Sequence, residues 1–233
     1  MTGSLGQDGS YLCQLLSEHG YEVHGIAREP LSEDSEKLKN YLASKSIEPI
    51  LHYCDLNEYD DVKHTIQQVE PGEIYHLAAT HFSSEFSTED RDQRLYQSNV
   101  SATFNILAAA NKVQQDAKIV VAGSCLMFDA SDIFPQNRNT PFKTRSYYGL
   151  AKITENQLVA FFRQKGMHVS MAILYNHESP RRRNGFVTKK IVKNMVLVAR
   201  NEIDSFDLGS LDTIKDWGYA KDYVHGIWLM AQQ

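Results

Sequence analysis

Short apolar runs of strand length alternate with helix-period segments through most of this chain, and that alternation constrains its fold more than any other feature. Parallel strands cannot be joined by tight hairpins; each pair needs a crossover, usually a helix laid on the sheet face. The pattern predicts a helix over 10–19, a strand over 22–27, a helix over 35–44 and a strand over 49–53. Asn57 is a candidate cap for a helix over 59–68, which Pro71-Gly72 ends, and a strand over 73–78 comes next. A long helix over 92–112, a buried strand over 119–122, a helix over 147–164 and a strand over 168–174 continue the series. After Tyr175 the alternation weakens to a helix over 185–200, a short strand over 205–208 and a last helix from Ala220. The expected fold is α/β, a doubly wound parallel sheet over 1–175 with a smaller C-terminal substrate lobe over 176–233.

Gly3, Gly6 and Gly9 stand at three-residue spacing just before the first helix, with Gln7 and Asp8 between them. A turn of this kind brings backbone close to a pyrophosphate and aims a helix N-terminus at its charge, as in Rossmann-type NAD(P)-binding domains. Three glycines alone arise by chance, so the weight rests on the residues downstream of them. Arg28 ends the second predicted strand, where such folds meet the adenosine ribose, and a guanidinium there suits the 2′-phosphate of NADP. Glu29 is the next residue and keeps NAD open as the lesser alternative. The apolar strand that should lead into Gly3 is absent. Its loss is expected to leave two central neighbours with unpaired backbone groups, as in a chain truncated at that end.

Tyr148-Gly149-Leu150-Ala151-Lys152 sets a phenol and an ammonium four residues apart, on one face of a helix. The ammonium is expected to depress the phenol's pKa, so that Tyr148 can exchange a proton with a sugar hydroxyl. The plain alternative is a surface tyrosine beside a solvated lysine. Ser124, at the end of the buried strand over 119–122, adds a hydroxyl in an order more specific than either piece alone.

Composition narrows the partners. Twenty-four basic residues against 29 acidic ones leave a formal net charge of -5, which provides no broad field for nucleic acid. The run Arg181-Arg182-Arg183 is too short to change that. The nine His form no HxxxH or HExxH pattern, so no metal site is expected. Cys13, Cys54 and Cys125 form no CxxC pair and suit reduced thiols. Without a membrane-length apolar run or a signal-peptide profile, the expected setting is cytoplasmic and away from membranes.

These segments together resemble the GDP-mannose 4,6-dehydratases, within the extended short-chain dehydrogenase/reductase family, along nearly all of the chain. The likeness is carried by 2–12, 21–26, 51–56, 73–77 and 148–152, and more specifically by 176–182 and 216–224. It implies a GDP-sugar substrate, a dinucleotide cofactor and a homodimer or homotetramer built on the helices over 92–112 and 147–164. It implies Tyr148 as base for the 4-hydroxyl, Lys152 as its electrostatic partner and ribose anchor, and Ser124 as the hydroxyl orienting the sugar. Asp55 and Leu56 would flank the adenine, and Leu77, Ala78 and Ala79 would leave room beside the cofactor. Asn176 and the loop that follows it would face the sugar diphosphate, with Lys190 a further phosphate candidate.

The family's pattern also implies a carboxylate where Leu126 stands, and leucine cannot move a proton. A positioned base contributes roughly 10²–10⁴-fold, so the elimination step is expected to be slowed unless Glu85 or Asp129 substitutes. Asp129 and Lys215 also depart from the usual glycine and arginine, and Glu29 stands in for a second arginine; the chain stops at Gln233. Three readings remain open: a dehydratase with an impaired elimination, a ketosugar reductase or epimerase, and a catalytically silent binding subunit.

Overall fold

A computed structural model describes residues 1–81 and 88–233. Among the described residues, seven helices and seven strands succeed one another. The first are α1 (Gln7–Glu18), β1 (His24–Ala27), α2 (Glu33–Ala43), β2 (Ile50–Tyr53), α3 (Tyr59–Val69), β3 (Glu73–His76) and α4 (Glu89–Val113). Then come β4 (Lys118–Ala122), a 3₁₀ turn over Cys125–Phe128, α5 (Tyr147–Gln164), β5 (Val169–Ala172), β6 (Asn176–Glu178), α6 (Val187–Ala199), β7 (Trp217–Tyr219) and α7 (Ala220–Ala231).

Strands β1 and β2 pair in parallel, as do β3, β4 and β5. Thr2 joins the two groups, bridging Ile26 on one side and His76 on the other. The Thr2 N–H donates to Tyr75 O at 2.9 Å and the Ile26 N–H to Met1 O at 2.8 Å. The chain therefore winds outward from Thr2 to β1 and β2, then crosses to β3, β4 and β5. That is a doubly wound Rossmann-type sheet with its switch point at Thr2. The expectation of two unpaired neighbours needs correction at this end of the sheet, since Met1 and Thr2 satisfy both sides there. At the opposite end of the same strands a cavity of about 470 Å³ opens between Val23 and Ile74.

Burial follows the period of two that a strand imposes. In β4, Ile119 and Val121 face one core with Val62, Ile106, Leu107 and Val159, so α3, α4 and α5 cover that side. Val120 points the other way, into a core with Leu12, Leu16, Val224 and Ile227 from α1 and α7. Leu107 is fully buried, and its loss to alanine would cost about 2–5 kcal/mol.

Two local expectations fail. Asn57 does not cap α3: the cap position is Glu58, and the Asn57 N–H donates instead to Asp55 Oδ1 at 2.9 Å. No strand forms over 205–208; the segment is mostly exposed and has no buried face to reward pairing. The second sheet is β6 against β7 in parallel, with Asn176 opposite Trp217 and Glu178 opposite Tyr219. Among the described residues no helix is long and apolar enough to cross a membrane.

Candidate active site

The carboxyl ends of the parallel strands converge beside the switch point, where doubly wound sheets bind ligands. A groove of about 600 Å³ lies there. Gly3, Gly6 and Gln7 form its floor, Arg28 its exit from β1, and Asp55 with Leu56 its exit from β2. Leu77, Ala78 and Ala79 line it after β3. The Gly6 N–H donates to Gly3 O at 2.9 Å, closing the turn, and Gly6 is the N-cap of α1. With no side chain at the cap, the first turn's N–H groups face no competing oxygen of Gly6 itself. Asp8 and Gly9 sit in that first turn. A Cβ on Gly9 would collide with Gly3 O and C, so this packing admits only glycine. Turn, helix terminus and the exposed Arg28 together fit an elongated dianionic ligand such as a dinucleotide.

Ser124 stands two residues past the end of β4 and caps the 3₁₀ turn, its Oγ accepting from the Leu126 N–H at 3.2 Å. Helix α5 starts one layer away, where the Ser146 Oγ accepts from the Gly149 N–H at 3.1 Å. A Cβ on Gly149 would strike Leu126 O and Thr144 Oγ1. Glycine therefore lets the first turn of α5 press against the 3₁₀ turn, and Tyr148 comes within electrostatic reach of Cys125, the neighbour of Ser124. Asp129 does not stand free as a substitute base. Its carboxylate accepts from the Arg145 N–H at 2.7 Å and the Ser146 O–H at 2.9 Å, bracing the start of α5. Glu85, the other candidate, lies outside the described residues.

Lys152 is buried one turn along α5, its Nζ 5.6 Å from the Tyr148 ring centroid. Burial pushes the Tyr148 hydroxyl up, Lys152 pulls it down, and Glu155, Cys125 and Asp8 push it up again. The net direction is upward, so the expected depression is corrected: in the chain by itself burial outweighs the ammonium. The Tyr148 ring meets His81 edge-on at 4.5 Å between centroids, and His81 lines the groove. Tyr148 is not itself part of the groove lining; His81 stands between it and the groove that the glycine turn lines.

The sequence matches the family profile described as GDP-mannose 4,6 dehydratase over residues 1–233. The chain belongs to the GDP-mannose 4,6-dehydratase family. The GDP-mannose 4,6-dehydratase of Yersinia enterocolitica is 36% identical over 242 residues, covering 100% of this chain and 64% of that protein. The human GDP-mannose 4,6 dehydratase is 37% identical with the same coverage. The chain therefore spans 64% of the length of these relatives. Among solved structures, a UDP-glucuronic acid 4-epimerase from Bacillus cereus, in complex with UDP-glucuronic acid and NAD, superposes with TM-score 0.83 at 20% identity, over 100% of this chain and 72% of that one. The NDP-hexosamine 5,6-dehydratase TunA gives 0.79 at 21% identity, over 100% and 71%. These two share the fold.

Within this family fold, all three expected substrate residues stand apart from the groove lining. Ser124 caps the 3₁₀ turn, Asn176 lies on β6, and Lys190 lies on α6. The side chains of Gln7 and Asp8 turn toward β6: Gln7 Nε2 donates to His177 O at 3.1 Å, and Asp8 Oδ2 meets His177 Nε2 at 2.9 Å. Conversely, Arg182, Arg183 and Phe186 line the groove, with the Arg182 guanidinium 3.6 Å over the Phe186 ring. For the arginines the resemblance points to the loop after Asn176, while composition weighs the Arg181–Arg183 run only as a nucleic-acid patch; Phe186 carries no signal. His81 and Glu155 carried no motif and were missed.

Proposed function

We propose that this chain binds NADP in the groove and acts on a GDP-hexose as a GDP-mannose 4,6-dehydratase does, converting it toward the 4-keto-6-deoxy sugar. The observation that carries the reading is the meeting of Tyr148, through His81, with the groove that Gly3, Gly6 and Arg28 line. The first turn of α1 would hold the pyrophosphate, with Asp8 and Gly9 contributing backbone. Arg28 would pair with a 2′-phosphate, which favours NADP over NAD. Asp55 and Leu56 would border the adenine, and Leu77 to Ala79 the nicotinamide half. When bound, the dinucleotide supplies the hydride acceptor and donor at the sugar. Lys152 would stabilise the Tyr148 phenolate and the ribose, Tyr148 would take the proton of the 4-hydroxyl, and Ser124 would orient that hydroxyl. Asn176 and Lys190 would contact the diphosphate only if the segments carrying them closed over the groove. The 1–175 and 176–233 division, and assembly through α4 and α5 as a homodimer or homotetramer, complete the proposal.

A second reading, ketosugar reduction or epimerisation, is supported by Leu126, an apolar side chain where the dehydratase resemblance calls for a carboxylate. The test is dinucleotide and GDP-mannose binding by the full chain, with product analysis afterwards. Tyr148→Phe should lower turnover by about 10²–10⁴-fold while NADP affinity stays within about twofold. Arg28→Ala should weaken NADP about tenfold or more and leave NAD unchanged. A chain that binds no GDP-sugar, or whose turnover survives Tyr148→Phe, would overturn the proposal.

A further inference from the structure

Behind the Tyr148–Lys152 pair runs a line of buried polar side chains that the groove itself does not use. The Lys152 Nζ donates to Glu155 Oε2 at 2.8 Å, and the two side chains are 2% and 0% exposed. Glu155 Oε1 is buried with no hydrogen-bond partner. Thr103, fully buried on α4, is the hydroxyl that favours the ionised form of this carboxylate. Its Oγ1 lies 3.1 Å from His76 Nε2, and His76 Nδ1 lies 2.8 Å from Thr2 Oγ1. Thr2 Oγ1 also accepts from the Ala78 N–H at 3.0 Å.

One tautomer of His76 orders this line in a single direction. With Thr2 accepting from Ala78, its own O–H can donate to His76 Nδ1. In that tautomer the ring proton is on Nε2, which donates to Thr103. The Thr103 O–H is then available to turn toward Glu155, whose carboxyl it draws down. Burial, with help from Lys152 and the chain's terminal ammonium, pushes the His76 ring down to about 3, so it is neutral as this ordering requires.

We infer that Glu155 is a positioning residue that fixes the Lys152 ammonium beside Tyr148, and that Thr103, His76 and Thr2 carry this fixation across the sheet to the glycine turn. The inference rests on the proposed role of Tyr148 and Lys152 as the reacting pair. Burial by itself disfavours the Lys152 charge, but Glu155 and Tyr148 overcome it and hold the ammonium above its ordinary range. Burial pushes the Glu155 carboxyl up, and Lys152 draws it back. The charged and titratable groups around Lys152 are Glu155 and Tyr148 on α5, with His76 at the end of β3 and His81 beyond it. Glu155 is the sole carboxylate among these described groups. An unpaired lysine this buried loses its proton, and Tyr148 then loses its stabilising charge. Glu155 thus matters to the phenol through Lys152, without touching substrate.

The experiment titrates the Nζ signal of Lys152 by nitrogen NMR in the ¹⁵N-lysine-labelled full chain. The signal is assigned by its absence from a Lys152→Met, Glu155→Met double variant, which removes both charges together. In Glu155→Gln the Lys152 pKa should fall by about two units or more, with Glu155→Asp restoring part of the shift. Thr103→Val, which keeps the volume and removes only the hydroxyl, should shift it in the same direction by a smaller amount. An unmoved Lys152 titration in folded Glu155→Gln would overturn the inference. If that variant does not fold, an unmoved titration in Thr103→Val would do so. The measurement needs no turnover, so a shifted Lys152 in a chain that converts no sugar would sink the proposed reaction alone.

Discussion

Tyr148 stands under opposed pressures, and their balance decides what the residue can do. Burial raises its pKa and Lys152 lowers it, with burial ahead in the chain by itself. A positive group brought near the hydroxyl would tip the balance, as an oxidised nicotinamide would. Leu126 is the second residue on which the proposed reaction turns. It is half-buried in the 3₁₀ turn beside Ser124, so a polar side chain there need not displace the core. Leu126→Glu should raise the dehydration rate by about tenfold to 10⁴-fold, read as formation of the 4-keto-6-deoxy product. An unchanged rate would show that another group already serves as the base. The Tyr-Lys spacing was legible in the sequence because a helix forces residues four apart onto one face. His81 was not, because its contact with Tyr148 joins a loop after β3 to a helix some seventy residues on, and no local spacing encodes that.

At the scale of elements, the unit formed by β4, the 3₁₀ turn and α5 positions Ser124, Tyr148 and Lys152, the residues of the proposed chemistry. Its bounds were readable where a local cause exists: α5 begins at Tyr147, as expected, because Ser146 caps it. The brace from Asp129 was not readable, since its two hydrogen bonds cross a loop of irregular backbone. Asp129→Ala should destabilise the start of α5 by about 0.5–2 kcal/mol, measured by chemical denaturation. A stability unchanged from the parent chain would remove Asp129 from this role. The absent strand over 205–208 has the opposite lesson. An apolar pair in sequence makes a strand only when another edge is there to receive it, and the edge of β6 is taken by β7.

At the scale of the molecule, the doubly wound parallel class was legible in the alternation, whereas the ties between α1 and β6 were not. His177 lies 2.9 Å from Asp8, Ser179 donates to Gln7 at 2.9 Å, and the Arg181 guanidinium sits 3.8 Å over Tyr11 and 4.6 Å over Tyr41. Burial pushes the His177 ring down, but Asp8 more than compensates, and its pKa lies above the ordinary 6.5. A raised histidine contributes stability that is fully present below pH 6.5 and lost as pH rises through the folded-state value. Thermal unfolding should therefore show a stability that declines above pH 6.5, and His177→Asn should flatten that decline. An identical pH dependence in the variant would exclude the pair as its source.

Central to the proposed chemistry is one ligand serving both the glycine turn and the Tyr148–Lys152 pair. The direct measurement is the ionisation of Tyr148, read as the ultraviolet difference between the parent chain and Tyr148→Phe, titrated with and without saturating NADP. The predicted result is a Tyr148 pKa lowered by about one unit or more when NADP is bound. NADP that binds and leaves the Tyr148 titration where it was would contradict that central claim.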